Sequence, residues 1–397
     1  MIVLMNMWHS QKQLLMGKPR SVRLVCLAVA VVVVAGAAHV LLSFLVHFFS
    51  PAFELGTEHI TVASAQRVAD GLPPVTRPDQ LPVTISSFTP FTFILIAPLL
   101  AWLSSDQVMA IAIIGRALVL VMIILSIACL RRILTECFSD IQPRLLSLSL
   151  GLYLLLFFVA FPGSIFVFRP DMLATFFELL SFHFFLLHIR RSQVQPALPA
   201  QGSPWAPPLG LAALAAATAI AAKQNALGVV VGSILTLAWR RKPRQLSRYL
   251  LWLLVPLAAW YGVFHLYLGE ALGMTVLGST ASELVVSNLD GAFDFARRLI
   301  SELGFKFFPL YLFSLYGMVL MWSRQRDLAQ ATLCCAVSSY VIATLGQLKT
   351  GAWLAARHIS AARFTRQPAA ECDGGLIVIA LGAQPLRTRP GPAFGGP

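Results

Sequence analysis

Three short stretches of this chain hold the residue types that do chemistry. "ELGTEHITVASAQRVADG" (54–71) supplies Glu54, Glu58 and His59, "FVFRPDMLATFF" (166–177) supplies Arg169 and Asp171, and "AAKQNALGVV" (221–230) supplies Lys223 and Gln224. A carboxylate can take a proton from an attacking hydroxyl. An arginine and a lysine can together hold a phosphate. Each stretch also has a plain local explanation. Pro170 breaks a helix and Asp171 caps the next one. Glu58 suits the first turn of a helix by its charge, Lys223-Gln224 suits a polar hairpin tip, and His59 suits an exposed position. Which explanation holds depends on where the surrounding elements bring these residues.

Those elements are set by composition. The 397 residues are 57% hydrophobic and 12% charged, about half the charge of a soluble domain. Runs such as "LVCLAVAVVVVAGAAHVLLSFLVHFF" (24–49) are long enough to cross a bilayer as helices. They are continuous and not alternating, which excludes a membrane β-barrel. The sequence therefore predicts an all-α, polytopic membrane helical bundle. The net charge of +13 lies in short clusters between apolar runs, without interleaved aromatics, so nucleic acid is excluded as a partner. The six cysteines make no CxxC pair and no ligand spacing, and read as small packing residues. The basic N-terminus and the long first run read as an uncleaved first span.

Apolar runs at 24–49, 109–130, 145–166, 172–189, 209–222, 225–239, 249–267, 306–322 and 329–347 give about nine spans. Basic clusters follow several of them: Arg131 and Arg132, Arg190 and Arg191, "RRKPRQLSR" (240–248), and Arg324 with Arg326. The positive-inside rule places these with the N-terminus in the cytoplasm. That parity closes only if the short run 91–103 lies in the interface instead of crossing. The outer side then collects loop 50–106, the Arg169/Asp171 turn, the Lys223-Gln224 turn and the acidic loop 268–305. Within the first outer loop, Thr57 reads as a helix start and Gly71 as its stop. Ile60, Ala63 and Val68 form the apolar face of that surface-lying helix.

Two carboxylates and two cations gathered at one membrane face suit sugar transfer from a polyprenyl phosphate. The cations would stabilise the leaving phosphate and a carboxylate would take the acceptor proton. The competing class is a transporter or lipid flippase, which usually shows paired repeats or helices broken at the midplane. No internal repeat is visible.

The order of five motifs resembles the GT-C glycosyltransferases, specifically the family-39-like proteins related to bacterial protein mannosyltransferases and aminoarabinose transferases. They are "ELGTEHITVASAQRVADG" (54–71), "SFTPFTFILIAPLL" (87–100), "GRALVLV" (115–121), "RPDMLATFF" (169–177) and "AAKQNALGVV" (221–230). The resemblance covers about 24–350. It implies a GT-C-like module over 1–350 with outer loops 50–106 and 268–305, seated in the inner membrane. It implies a polyprenyl-phosphate-linked sugar donor and a glycan, lipid or protein acceptor. By position, Glu58 matches the first-loop acid and Asp171 the second outer acid, the two catalytic candidates. Arg169 and Lys223 match polar positions near the lipid phosphate, with Gln224 beside them. The usual first-loop aspartate is replaced by Glu54 or Glu58, and the Tyr-Pro-Pro element is reduced to Phe88-Thr89-Pro90. Some relatives use a divalent metal ion, and His59 is the one residue beside Glu58 suited to it.

From 351 to 397 the chain is rich in Arg, Pro and Gly and has no run of spanning length. Relatives continue here into further spans. The expectation is a truncated or frameshifted end, and with it a third reading: an inactive remnant of the family.

Overall fold

The computed structural model describes residues 20–50, 57–74, 90–104, 106–138, 167–194, 207–269 and 314–342, with 146–147, 150–152 and 154–155. Two compact units divide the chain, Met1–Trp353 and Leu354–Pro397, and every described residue lies in the first. Regular structure among the described residues is helical throughout, without strands. The helices are α1 (Arg20–Phe49), α2 (Thr57–Ala69), α3 (Phe91–Leu100), α4 (Val108–Cys137), α5 (Asp171–Val194), α6 (Pro207–Ala222), α7 (Gly228–Trp239) and α8 (Pro243–Leu268). Two more, α9 over 314–324 and α10 over 326–342, follow the acidic loop.

Three of these are long and apolar enough to cross a membrane: Val108–Cys137, Asp171–Gln193 and Pro243–Leu268. Their outward side chains fit hydrocarbon. Leu251, Leu254, Val255, Val263 and Leu266 on α8 are all exposed, a surface water would not tolerate on one helix. Of the expected span at 145–166 only 146–147, 150–152 and 154–155 are described, and the loop from 270 to 305 lies outside the described residues, as does everything after 342. The long spans run past their expected ends because the basic clusters are themselves helical: Arg131, Arg132, Arg190 and Arg191 extend α4 and α5, and Arg244 and Arg248 begin α8. Arginine is a good helix former and can carry its charge beyond the apolar core on a long stem. At 10 residues, α3 measures about 15 Å, half the hydrocarbon thickness, which agrees with a helix that does not cross.

Contacts fix the relative directions. Ser181 donates to the Ala212 carbonyl while Asp171 meets Lys223, so α6 runs antiparallel to α5. His188 meets Gln245 and Phe185 meets Tyr249, so α8 is antiparallel as well. α6 lies between these two as an alanine-rich rod. Ala212, Ala213, Ala216, Ala217, Ala219, Ala221 and Ala222 are all at most 1% exposed, because small side chains let neighbouring backbones approach closely. α7 meets α10 through Gly228-x-x-x-Gly232. A Cβ on Gly228 would sit 2.2 Å from Ser339 Oγ, and one on Gly232 would sit 2.4 Å from Cys335 Cα. With α4, α5 and α7 parallel, Arg131, Arg190 and Arg240 gather at one end of the bundle, and Asp171 and Lys223 at the other. The basic end is tied by Arg240 and Gln193 to Asp327 and by Arg190 to Glu136.

The helix expected from Thr57 to Gly71 is α2, stopped by Gly71 at φ +72°. Its inward face is broader than the expected one and includes a charged residue, and the Ile60 side chain is not described. Glu58, Thr61, Val62, Ala65 and Val68 are buried, while Ala63 is only half-buried. Glu58 lies on the inward face beside Val62, Ala65 and Val68 because it pairs with a buried cation.

Candidate functional site

That cation is Arg116, in the third turn of α4. Its Nε donates to Glu58 Oε1 at 2.8 Å and its Nη2 to Glu58 Oε2 at 3.1 Å, a two-pronged pair. Its Nη1 donates to the carbonyls of Phe48 at 2.9 Å and Ser50 at 2.8 Å, where α1 ends. Both partners are 2% exposed at the side chain. The Phe168 backbone N–H donates to the same Glu58 Oε1 at 3.1 Å. Next to Arg116, Gly115 makes room for the Phe168 ring: a Cβ there would meet that ring at 2.2 Å. One guanidinium and one carboxylate therefore join α1, α2, α4 and the segment leading into α5.

Pro170 and Asp171 follow immediately. The Pro170 carbonyl accepts the first helical bond, from the Ala174 N–H, and Asp171 opens α5. The Asp171 carboxylate pairs with the Lys223 ammonium across 52 residues of sequence. Lys223 stands at the C-terminal end of α6, where its N–H still bonds the Ala219 carbonyl, a favourable place for a cation. Asp171 does more than begin a helix, and Lys223 more than tip a hairpin. Arg169 is half-buried between docked Phe168 and buried Pro170, and Gln224 is half-buried beside Lys223. Asp171 is three positions beyond Phe168, at most about 11 Å of chain. The two ion pairs thus belong to one polar end of the bundle.

The two carboxylates differ in what they can do. Glu58 is 1% exposed and both its oxygens are engaged, which suits it to hold other groups in place. Asp171 has a side chain 37% exposed and Lys223 one 27% exposed. An ion pair open to that degree can exchange partners. Of the remaining sequence-predicted residues, Glu54 lies outside the described residues. His59 is placed in α2 by its backbone, and its side chain is not described. Among the described residues no three His, Cys, Asp or Glu side chains come together as a metal site.

Sequence reasoning missed two residues here. Arg116 stood inside a quoted Gly-Arg motif, yet a charge at the head of an apolar run reads as a flank. Glu178 lies two turns into α5, half-buried and on the same helix face as Asp171. Its signal was available as a period: Asp171, Ala174, Glu178, Ser181, Phe185, His188 and Ser192 repeat at alternating steps of three and four. That spacing is one face of a helix, and here it is a polar one.

No protein-family model, no curated protein and no solved structure matches this chain.

Proposed function

We propose that the chain is a membrane glycosyltransferase of the GT-C type, moving a sugar from a polyprenyl-phosphate donor to a hydroxyl acceptor outside the inner membrane. The single observation that carries this is the half-open Asp171–Lys223 pair, set beside Arg169 at the end of the bundle opposite the basic clusters. The basic clusters put their own end in the cytoplasm, and with it the N-terminus.

In this reading the donor phosphate enters beside Arg169 and takes Lys223 from Asp171. The acceptor oxygen attacks the anomeric carbon from the face opposite the phosphate, so configuration inverts. The bond from that carbon to the phosphate oxygen breaks, and its electron pair leaves on the polyprenyl phosphate. Lys223 and Arg169 stabilise that growing charge. Asp171, released from Lys223, takes the acceptor proton. Glu58 acts through Arg116 and Phe168, holding the Arg169/Asp171 turn in register. A divalent ion at the acceptor is compatible with Glu58 and His59 only if Glu58 first gives up Arg116.

The test is sugar transfer in proteoliposomes with a polyprenyl-phosphate sugar, comparing the wild-type chain with Asp171→Asn and Lys223→Met. Transfer by the wild type and its loss in both variants supports the reading. Undiminished transfer in both variants removes the site assignment.

One observation favours a second reading, a transporter or lipid flippase: the polar face of α5 continues from Asp171 through Glu178 and Ser181 to His188. Buried polar groups in a span often line a substrate path. Movement of labelled polyprenyl phosphate across the bilayer, without transfer, selects this reading. Neither activity in a folded protein selects the third, an inactive remnant.

A further inference from the structure

The turn from α7 into α8 carries Arg241, Lys242, Arg244 and Arg248, and all four are exposed. The turn is well tied. The Arg241 N–H donates to the Ala238 carbonyl and the Lys242 N–H to the Leu237 carbonyl, with Arg241 itself at φ +52°, where glycine is the usual residue. Arg244 and Arg248 stand about one turn apart on α8, and like charges at that spacing repel. The first turn of α8 holds no acid to offset them. Among the described residues the basic end has two carboxylates, and both are occupied: Glu136 by Arg190, and Asp327 by Arg240 and Gln193. The acidic segments of the sequence, 50–90 and 268–305, adjoin the opposite end of the bundle. The corner gathers positive charge that the described carboxylates do not balance.

The same face of α8 then changes character. Arg244, Arg248, Leu251 and Val255 follow one another at steps of four, three and four, which is a single helix face. Leu251 is 61% and Val255 59% exposed. From Arg244 to Val255 is about 16 Å of helix, roughly one leaflet of a hydrocarbon core about 30 Å thick. Trp239, exposed at the end of α7, suits the interface between headgroups and hydrocarbon. Exposed arginine followed by exposed aliphatic side chains along one face matches the two halves of a phospholipid. An acidic protein or a nucleic acid would use the charges and leave the apolar continuation without a role.

We infer that this corner is a binding site for an anionic phospholipid of the leaflet at the basic end. The headgroup phosphate sits at Arg244 and Arg248, with Arg241 and Lys242 adding charge, and an acyl chain runs along Leu251 and Val255. Bound phosphate relieves the repulsion between the two arginines, and cations at the membrane surface attract anionic lipid. The site is separate from the Asp171–Lys223 end and does not depend on the chemistry there.

The experiment titrates the full chain in detergent with dioleoylphosphatidylglycerol and with dioleoylphosphatidylcholine, following the first bound lipid by native mass spectrometry. The wild type is expected to bind the anionic lipid about 25-fold more tightly, the scale of two near-surface arginines. Arg244→Gln with Arg248→Gln is expected to bring phosphatidylglycerol down to the level of phosphatidylcholine, whose binding stays unchanged. Both side chains are exposed, so this variant is expected to fold. Arg131→Gln with Arg132→Gln removes the same charge from the same end on α4, and is expected to change phosphatidylglycerol binding by less than about threefold. Equal losses in the two double variants overturn the site and leave a general attraction to a basic end. Equal wild-type affinity for the two lipids overturns the anionic assignment. Leu251→Ala with Val255→Ala is expected to weaken both lipids by about threefold or more, and unchanged binding of both overturns the acyl-chain contact.

Discussion

The two ion pairs at the Asp171 end are built from the same chemistry and differ in access. Glu58–Arg116 is sealed, with side chains 2% exposed, two-pronged, and extended by three further backbone contacts. Asp171–Lys223 is a single contact between side chains a quarter to a third exposed. Burying a charge is costly unless its partner is fixed, and removing that partner leaves the cost in full. The sealed pair is therefore committed to architecture. The open pair loses little by parting, and only such a pair can meet a substrate.

That contrast can be broken in graded ways. The largest effect is expected from Arg116→Met, which strands Glu58 among apolar neighbours and should destabilise by roughly 3–5 kcal/mol. Thermal unfolding in detergent reads it, and Arg116→Met with Glu58→Met together should recover much of the loss. Next comes Gly115→Val, which drives the Phe168 ring out of its seat. Overpacking of this kind costs about 1–3 kcal/mol, and it should also disturb Asp171 through the two intervening residues. Lys223→Met should change stability by less than about 1 kcal/mol while abolishing transfer in the proteoliposome assay. A loss of stability as large as that of Arg116→Met would erase the distinction between the pairs. The smallest effect is expected from Arg190→Ala at the basic end. Its pair with Glu136 is more exposed still, 41% and 28%, and should contribute below about 1 kcal/mol without affecting transfer.

How far the sequence reaches follows from these same residues. Helical class, the spans at α4, α5 and α8, the short α3 and the stop at Gly71 were legible, because each is a local matter of hydropathy, length or glycine. The burial of Glu58 on the inward face of α2 was not. The apolar-face rule selects Ile60, Ala63 and Val68, whereas the helix is oriented by Glu58, whose partner lies 58 residues away. Glu178 escaped because a lone acid in an apolar run stands out less than the periodic polar face of α5 to which it belongs. The bundle-end location of Asp171 and Lys223 was legible from charge parity, but their direct pairing was not. Sequence patterns report what a residue does to its own element, and these charges act on other elements.

Arg116 also has a place in time. At least four of its five N–H donors go to Phe48, Ser50 and Glu58, all made earlier in synthesis than α4 itself. When α4 enters the membrane, these acceptors have already left the ribosome. A guanidinium that would be prohibitive in an isolated span thus becomes a checkpoint in assembly. α4 is comfortable in the bilayer only after the first helix and the segment that follows it have taken their places.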